Sequence, residues 1–371
     1  MTAPPELQDP RWQDVPSHLR PSRKIPVWPF IVGIFLLLIG GGFYVAAQTP
    51  VEFYALSPGP VNDVGDYIEV IDDTGPSAGQ LYFLTVSLRE ISLLEYWGAK
   101  LDPKVDLSPR ENIRPTGVSP ESLRQQNIDL MEQSKQAAIY VALTRLGYEV
   151  TFEGEGSLIA DVIQGSAADG VIQRGDVIVA VNGNPVEFST DAVEYIGGNA
   201  PGDVINLELL RGADGPNPER VNLDITLGPY RAEDADGNLI EDNERGMVGV
   251  LLSNYNPSIV FPIDINIDSQ NIGGPSAGMM FTLEIMDRLL PEDLTAGKSI
   301  AGTGTIDQDG NVGAIGGIRQ KVFGAIAAGA EIVLVPADNY DDAVAAAGDD
   351  IIVVRIETID DAINYLESLA S

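Results

Sequence analysis

The sequence is built around the stretch Asn271-Ile272-Gly273-Gly274-Pro275-Ser276-Ala277-Gly278-Met279-Met280. The pattern predicts a glycine-rich turn that delivers Ser276 to the start of a helix, because Pro275 suits a first helical turn and apolar residues follow at helical spacing. A hydroxyl there lies beside backbone N–H groups that have no partner within the helix, and such donors can hold an oxyanion. A second stretch has the same form and carries Lys321 in its first helical turns: Gly316-Gly317-Ile318-Arg319-Gln320-Lys321.

The inventory of reactive side chains narrows the chemistry. The only histidine is His18, and the chain has no cysteine. A Ser-His-Asp triad, a Cys-His pair and a metal site built on His or Cys are therefore excluded beyond residue 18. A serine or threonine with a lysine base is the main nucleophilic arrangement that remains. The alternative interpretation is structural, because serine is a preferred helix cap and an isolated Gly-Pro-Ser-Ala-Gly is more often only a cap.

The last third of the chain resembles the proteolytic domain of Lon-type peptidases through three motifs in order: Gly274-Pro275-Ser276-Ala277-Gly278, Gly302-Thr303-Gly304 and Gly316-Gly317-Ile318-Arg319-Gln320-Lys321. The resemblance implies that Ser276 is the nucleophile, Lys321 the general base and Thr303 a partner of the lysine. The oxyanion is expected on the backbone N–H groups of Ser276 and Ala277. Many Lon peptidases carry an acidic residue just before Gly-Pro-Ser, but this chain has Gly273 there, so no acid is assigned.

Composition excludes several other classes of function. The chain has 22 basic and 55 acidic residues and a formal net charge of -33, which argues against nucleic-acid binding. The acidic turns at 234–238 and 307–311 fail the EF-hand pattern because their glycine stands at the fourth position rather than the sixth. The lysine of Gly297-Lys298-Ser299 lacks the glycine of a phosphate-binding loop, since Glu292 occupies that position. We expect no metal, no cofactor and no nucleotide motor.

The N-terminal part predicts a membrane anchor. Residues 1–24 are polar and end in a basic cluster of Arg20, Arg23 and Lys24, and no charge follows from Ile25 to Val51. This length crosses a bilayer core of about 30 Å, so we predict a cytoplasmic tail at 1–24, a transmembrane helix at 25–48 and the remaining chain outside the cytoplasm. A cleaved signal peptide is the alternative, because residues 45–47 resemble a cleavage site. The apolar run exceeds the roughly 7–15 residues of a signal peptide, which favours an uncleaved anchor.

Residues 49–147 predict a membrane-proximal α/β region. Short strand patterns near Tyr67–Ile71 and from Gln80 to Leu88 precede a helix that starts at Ser119 and Pro120 and continues to Gly147. No catalytic pattern is present here, so the default interpretation is a packing helix and a spacer. The arrangement also resembles the segment between anchor and protease in membrane-bound Lon-like proteins.

Residues 148–230 resemble a PDZ domain through the following segments: Gly156-Ser157-Leu158-Ile159-Ala160-Asp161-Val162, Gly165-Ser166-Ala167-Ala168 and Gly175-Asp176-Val177-Ile178-Val179-Ala180-Val181-Asn182-Gly183. A PDZ domain adds a peptide strand to a sheet edge and holds its terminal carboxylate on backbone N–H groups. The predicted edge consists of Gly156, Ser157, Leu158, Ile159 and Ala160, with a helix near Asp191–Ile196 as the other wall. A small β-rich spacer that binds nothing is the alternative.

Together these patterns predict a multidomain α+β protein with a transmembrane helix, a PDZ-like domain, an acidic linker at 231–246 and an α/β Lon-type domain at 247–371. The predicted function is an ATP-independent serine endopeptidase outside the cytoplasm, with a Ser-Lys dyad and a PDZ domain that recruits substrate. Its partners would be unfolded or extended polypeptides, including those with free C-termini, and the membrane. A homo-oligomer is an expectation from the resemblance, because Lon domains commonly form rings. The alternative is a catalytically silent PDZ adaptor with a Lon-like assembly domain.

Overall fold

The computed structural model describes residues 26–71, 75, 77–233, 239–270 and 272–370. The predicted cytoplasmic tail at 1–24, the acidic turn at 234–238 and Asn271 lie outside the described residues.

The described chain begins with an apolar helix, α1 (Trp28–Gln48). Its 21 residues make it about 31 Å long at 1.5 Å per residue, which matches the apolar core of a bilayer. None of its side chains is buried against the rest of the described chain. The helix therefore has the length and the composition of a membrane anchor.

The membrane-proximal segment contains the following elements: β1 (Pro50–Asp63), β2 (Ile68–Val70), β3 (Gln80–Ser92), α2 (Leu93–Ala99), β4 (Asp106–Pro109), α3 (Arg110–Ile113) and α4 (Pro120–Arg145). Ser119 caps α4, because its side chain accepts a hydrogen bond from the N–H of Ser122. The predicted start of this helix at Ser119 and Pro120 is confirmed.

A β-rich unit follows, with these elements: β5 (Thr151–Glu153), β6 (Ser157–Val162), β7 (Val177–Val181), β8 (Asn184–Pro185), α5 (Ser189–Gly197), β9 (Val204–Arg211), β10 (Glu219–Thr226), β11 (Gly228–Glu233), β12 (Leu239–Met247), β13 (Val250–Asn254) and β14 (Ser258–Val260). Its main sheet has the strand order β10-β9-β7-β6-β13. A core of aliphatic side chains, among them Ile159, Ile178 and Leu207, packs against Ala192 and Ile196 of α5.

The last part of the chain contains the following elements: β15 (Ile265–Ile267), α6 (Gly278–Leu289), β16 (Ser299–Gly302), β17 (Thr305–Ile306), β18 (Val312–Gly313), α7 (Ile318–Ala328), β19 (Ile332–Pro336), α8 (Tyr340–Ala347), β20 (Ile352–Ile356) and α9 (Ile359–Leu369). Strands and helices alternate here, as the sequence predicts.

One six-stranded sheet combines the first and last parts, in the order β20-β19-β16-β3-β1-β4. Strands β3, β16, β19 and β20 are parallel, and β1 is antiparallel to both of its neighbours. Successive side chains of β3 point to opposite faces, so that Phe83 packs with α4 and α6 whereas Leu84 packs with α7. The prediction that residues 49–147 are a spacer is therefore wrong, because three of their strands form half of the sheet.

The β-rich unit is inserted into this α/β domain. Strand β5, on the way in, pairs with β14, on the way out, so the two ends of the insertion lie side by side. Strand β13 pairs with β6 of the inserted unit, although the sequence predicts it within the last domain. The predicted acidic linker at 231–246 also differs, because β11 and β12 form a hairpin. The paired ends place the inserted unit after α4 and before β15.

Candidate active site

Ser276 lies in the turn that leads into α6. Gly274 has φ +94°, a left-handed conformation that favours glycine, and α6 itself begins at Gly278. The helix therefore starts three positions after Pro275, and Pro275 belongs to the turn rather than to the first helical residues as predicted. Met279, Met280 and other residues of α6 are fully buried, so the turn is attached to a rigid core helix.

Helix α4 holds one side of this turn. The N–H of Gly274 donates to the carbonyl oxygen of Asn127 at 2.8 Å, and Ser134 Oγ donates to the carbonyl oxygen of Pro275 at 3.0 Å. A Cβ at Gly278 would lie 2.5 Å from Ser134 Oγ, so the absence of a side chain lets the helices approach closely. The sequence offered no chemical motif in α4, and this positioning role was missed.

The same helix also packs closely against Gly273. A Cβ at this position would lie 3.1 Å from the Cβ of Asn127 and 3.4 Å from the backbone of the same residue. An acidic side chain before Gly274 would therefore meet α4 directly.

The motif around Thr303 holds the other side of the turn. The carbonyl oxygen of Ser276 accepts hydrogen bonds from the N–H of Gly304 at 2.9 Å and from Thr303 Oγ1 at 3.0 Å. The N–H of Met279 in turn donates to the carbonyl oxygen of Gly304 at 3.2 Å. The serine backbone is thus fixed from two directions, and such fixation keeps a reactive side chain in one geometry.

Lys321 reaches the serine from α7. Gly317, with φ +69°, precedes this helix, and Lys321 is its fourth residue. Its Nζ donates to Ser276 Oγ at 2.8 Å and to Thr303 Oγ1 at 2.8 Å. The structure therefore brings together all three side chains that the sequence selected.

Burial changes the charge of this lysine. Lys321 is 2 % exposed, and burial lowers its pKa to about 7. Desolvation disfavours the ammonium form, and no carboxylate in the described part of the chain offsets that effect. Near neutral pH a large fraction of Lys321 is therefore unprotonated, which is the form that can accept a proton.

The serine opens into a cleft of about 650 Å³. Its walls come from the sheet, from the serine turn and from the start of α7, including the following residues: Leu56, Pro60, Leu84, Val86, Leu88, Ile113, Met131 and Gly316. The N–H groups of Ser276 and Ala277 donate no hydrogen bond to any described residue. They are available to a negatively charged oxygen in the cleft.

The other candidate groups lie in different environments. Lys298 is 38 % exposed at its side chain and forms an ion pair with Glu331 at 3.1 Å. Arg319, the neighbouring cation in the Lys321 motif, pairs with Asp106 at 2.7 Å. No group of three or more potential metal ligands is found within the described ranges.

The structure contradicts the predicted peptide-binding edge. The residues Gly156, Ser157, Leu158, Ile159 and Ala160 lead into or lie in β6, which is flanked by β7 on one side and β13 on the other. A strand with two neighbours has no free backbone edge for a third. Strand β13 is the outer strand of this sheet, and it lies beside α5.

A small cavity of about 120 Å³ marks the gap between α5 and β13. It is lined by residues from α5, β11, β12 and the chain that continues into β13: Val193, Ile196, Gly197, Tyr230, Arg245, Gly246, Met247, Val248, Gly249, Val250 and Leu252. Gly249 has φ +87°, and a Cβ there would lie 2.1 Å from the Cβ of Ser166. The glycines around Met247 and Val248 are the sequence signal that could have indicated this edge.

The fold and the cleft define an α/β domain in which a buried lysine contacts a serine, with an inserted β-rich domain. Family models identify both parts. Residues 263–366 match the Lon protease (S16) C-terminal proteolytic domain, and residues 144–227 match the PDZ domain. The chain therefore carries an N-terminal apolar helix, a PDZ domain and a Lon-type proteolytic domain, in the predicted order.

Two curated relatives match this chain over the PDZ region. A probable periplasmic serine endoprotease DegP-like of Pseudomonas putida (strain GB-1) is 42% identical over 82 residues, 22% of this chain and 16% of the relative. The protein of the same name in Hahella chejuensis is 32% identical over 80 residues, 21% of this chain and 16% of the relative. The chain thus spans about a sixth of the length of these relatives.

Among solved structures, the PDZ domain of the SdrC-like protein from Listeria monocytogenes is 23% identical. The match covers 26% of this chain and 87% of that chain, with a TM-score of 0.21. The corresponding domain from Listeria innocua is 22% identical and covers 26% of this chain and 92% of that chain, with a TM-score of 0.20.

Proposed function

We propose that this protein is a membrane-anchored, ATP-independent serine endopeptidase that acts outside the cytoplasm with Ser276 as nucleophile and Lys321 as base. The observation that carries the proposal is the 2.8 Å contact between Lys321 Nζ and Ser276 Oγ, made by a lysine whose pKa burial lowers to about 7. A lysine of ordinary pKa, about 10.4, would be almost wholly protonated at neutral pH and could not act as a base.

The reaction begins when Ser276 Oγ attacks the carbonyl carbon of a peptide bond and its proton passes to neutral Lys321. The oxygen of the tetrahedral intermediate becomes negative and is held by the N–H groups of Ser276 and Ala277. When the C–N bond breaks, the Lys321 ammonium gives its proton to the leaving amine. An acyl ester on Ser276 remains, and neutral Lys321 is regenerated.

A water molecule completes the cycle. Lys321 takes a proton from the water as its oxygen attacks the ester carbonyl, and the same proton then returns to Ser276 Oγ as the C–O bond breaks. Both proton transfers use one amine, so its pKa has to lie near the working pH. The burial of Lys321 supplies that condition.

Thr303 positions the amine. Its Oγ1 accepts a hydrogen bond from Lys321 Nζ while its own hydroxyl proton goes to the carbonyl oxygen of Ser276. A neutral partner orients the lysine without stabilising its charge, whereas a carboxylate in the same place would raise the pKa of the lysine. Thr303 thus supports a neutral base.

The substrates we propose are unfolded or extended polypeptides, recruited through the PDZ domain. The gap between β13 and α5 combines an outer sheet strand with a short cavity, which is the arrangement that adds a peptide strand. Arg245 lines that cavity and lies over the ring of Tyr230 at 4.7 Å. Its guanidinium would favour a free C-terminal carboxylate at this end of the groove.

The test is labelling of the full chain, purified in detergent, with a fluorophosphonate that phosphonylates activated serines. We expect label on Ser276, found by mass spectrometry of the tryptic peptide, and loss of label in Ser276→Ala. Lys321→Ala should also abolish labelling, whereas Lys298→Ala, with the same loss of one cation, should label normally. Absence of label in the unmodified protein, together with intact peptide binding, would establish a PDZ adaptor instead.

A further inference from the structure

Helix α2 carries an apolar stripe that is partly exposed in the described chain. Leu94, Trp97 and Leu101 are 38 %, 60 % and 86 % exposed. They follow one another at intervals of three and four residues, so in α2 and the turn after it they share one face. Exposed aromatic and leucine side chains grouped in this way indicate contact with another apolar phase.

The opposite face of α2 is fixed to the protein. The ring of Tyr96 packs on Phe53 of β1, with ring centroids 5.1 Å apart. The first turn has a complete capping box, in which Ser92 and Glu95 satisfy each other's backbone N–H groups. The stripe is therefore held in a defined orientation although its helix is short.

The position of α2 identifies the phase. Its first N–H, that of Leu93, donates to the carbonyl oxygen of Thr49, the residue that follows α1, at 2.8 Å. Strand β3 ends at Ser92, which pairs with Pro50 at the start of β1. The stripe thus begins beside the point where the apolar helix α1 ends.

The charges around the stripe fit a membrane surface. Lys100 lies over the rings of Tyr96 and Trp97, with Nζ 5.1 and 5.5 Å from the ring centroids, and Lys104 is exposed nearby. Glu95 forms an ion pair with Arg89 at 3.0 Å. Tryptophan with lysine at the end of a spanning helix is the composition typical of the lipid headgroup region.

We propose that α2 and Leu101 lie in the headgroup boundary of the bilayer that α1 crosses, with Trp97 in the lipid and Lys100 at the headgroups. This inference rests on the proposed membrane anchor. It makes α2 a second contact, which prevents the protease domain from rotating freely on a single helix.

Leu88 of β3 lines the cleft, and a strand rises about 3.3 Å per residue, so the step from Leu88 to Ser92 at the membrane end is about 13 Å. The cleft is therefore held close to the membrane.

The experiment measures the depth of Trp97. The chain has 3 tryptophans, so Trp12→Phe with Trp28→Phe leaves Trp97 alone. The full chain is reconstituted in phosphatidylcholine and phosphatidylglycerol vesicles, with and without bromine on the upper acyl carbons. We expect emission shifted to shorter wavelength, quenching by the brominated lipid and protection from aqueous acrylamide.

A matched control places the reporter elsewhere. Ile352 is 58 % exposed at the start of β20, on the other edge of the large sheet. Ile352→Trp in a chain whose three native tryptophans are phenylalanine should be quenched by acrylamide and not by brominated lipid. Leu94→Glu with Leu101→Glu in the Trp97 reporter should remove the lipid quenching while hydrolysis of a soluble peptide stays unchanged.

Two results would overturn the proposal. Trp97 open to acrylamide and untouched by brominated lipid would show that the stripe faces water. Trp97 protected from both quenchers, with protection that falls on dilution of protein in the vesicles, would show that a second copy covers it. Because the quenching needs no turnover, a protein that hydrolyses no peptide would end the proposed peptidase activity and still decide the membrane contact.

Discussion

The cleft around Ser276 and the groove beside β13 are two binding surfaces built in opposite ways. In the cleft, three side chains converge, and the decisive one, Lys321, is 2 % exposed. In the groove, the available groups are the backbone of an outer strand and a cavity of about 120 Å³. Chemistry that depends on a side chain's protonation needs burial, whereas recognition by strand addition needs an open backbone.

This difference determines how each surface responds to mutation. Changes to single side chains should be severe in the cleft, because each group has a role that no neighbour can take. They should be mild in the groove, because backbone hydrogen bonds persist when a side chain changes.

The largest effect is expected for Lys321. Lys321→Arg should be as inactive as Lys321→Ala, because guanidinium keeps its proton at any working pH, and we expect kcat/KM for a peptide to fall about 10²–10⁴-fold in both. Lys298→Ala is the control and should stay near wild type, since Lys298 is ion-paired to Glu331 away from the serine. Near wild-type turnover by Lys321→Arg would remove the lysine from the mechanism.

The pH dependence of kcat/KM should report the ionisation of Lys321. Neutral Lys321 is the active form and its pKa is lowered to about 7, so kcat/KM should rise about tenfold per pH unit below 7 and level off above it. The folding stability should also rise with pH. The unfolded lysine titrates near 10.4, so between about 7 and 10.4 the unfolded chain binds more protons, and the free energy of unfolding rises with pH.

One variant measures how much the buried amine of Lys321 lowers the free energy of unfolding. Lys321→Met removes the buried amine, and the shift of roughly three pKa units corresponds to about 4 kcal/mol near neutral pH. We expect Lys321→Met to unfold at higher denaturant concentration than the wild type at pH 7, with a smaller difference above pH 10. Lys298→Met should show no such pH-dependent gain. An equal response of both variants would mean that Lys321 is charged in the folded protein.

The sequence selected the three side chains that meet in the cleft because its three motifs are local. Ser276, Thr303 and Lys321 each follow or lie within a glycine-containing turn, and short-range patterns describe such turns well. The pairing of Gln80 with Ser299 depends instead on contact between strands that are distant in sequence. No local sequence pattern predicts that partner strand, so residues 49–147 were interpreted as a spacer.

The groove was missed for a related reason. Strand β6 has the sequence of a sheet strand, but an edge is defined by what lies beside it, and here β13 lies beside it. The covering strand comes from beyond the predicted boundary of the PDZ-like region. Burial patterns identify strands, while strand order decides which of them is free.

A smaller effect is expected for Thr303. Thr303→Val keeps the shape but removes the acceptor of the Lys321 hydrogen bond and the donor to the carbonyl oxygen of Ser276. A buried polar group left without its partner costs about 1–3 kcal/mol, so we expect kcat/KM to fall about 10- to 100-fold. Thr303→Ser should restore most of the activity because it restores the hydroxyl. Loss in Thr303→Ser equal to that in Thr303→Val would assign the effect to packing.

The smallest single-residue effect is expected in the groove, and it is measured as binding to the inactive Ser276→Ala chain. A peptide with a free C-terminal carboxylate should bind more tightly than its amidated twin by about tenfold, the lower end of the roughly 1.5–3 kcal/mol that a charged hydrogen-bond partner is worth, because the groove is open to water. Val193→Glu on α5 places a like charge beside the groove and should weaken the carboxylate peptide more than the amide. Ser157→Ala in β6 should change neither affinity, because β6 already lies between two strands. If Ser157→Ala weakened binding and Val193→Glu did not, the peptide would pair with β6 after displacing β13. The outer strand β13 would then not be the binding surface, and the contrast between the buried lysine of the cleft and the open edge of the groove would not hold.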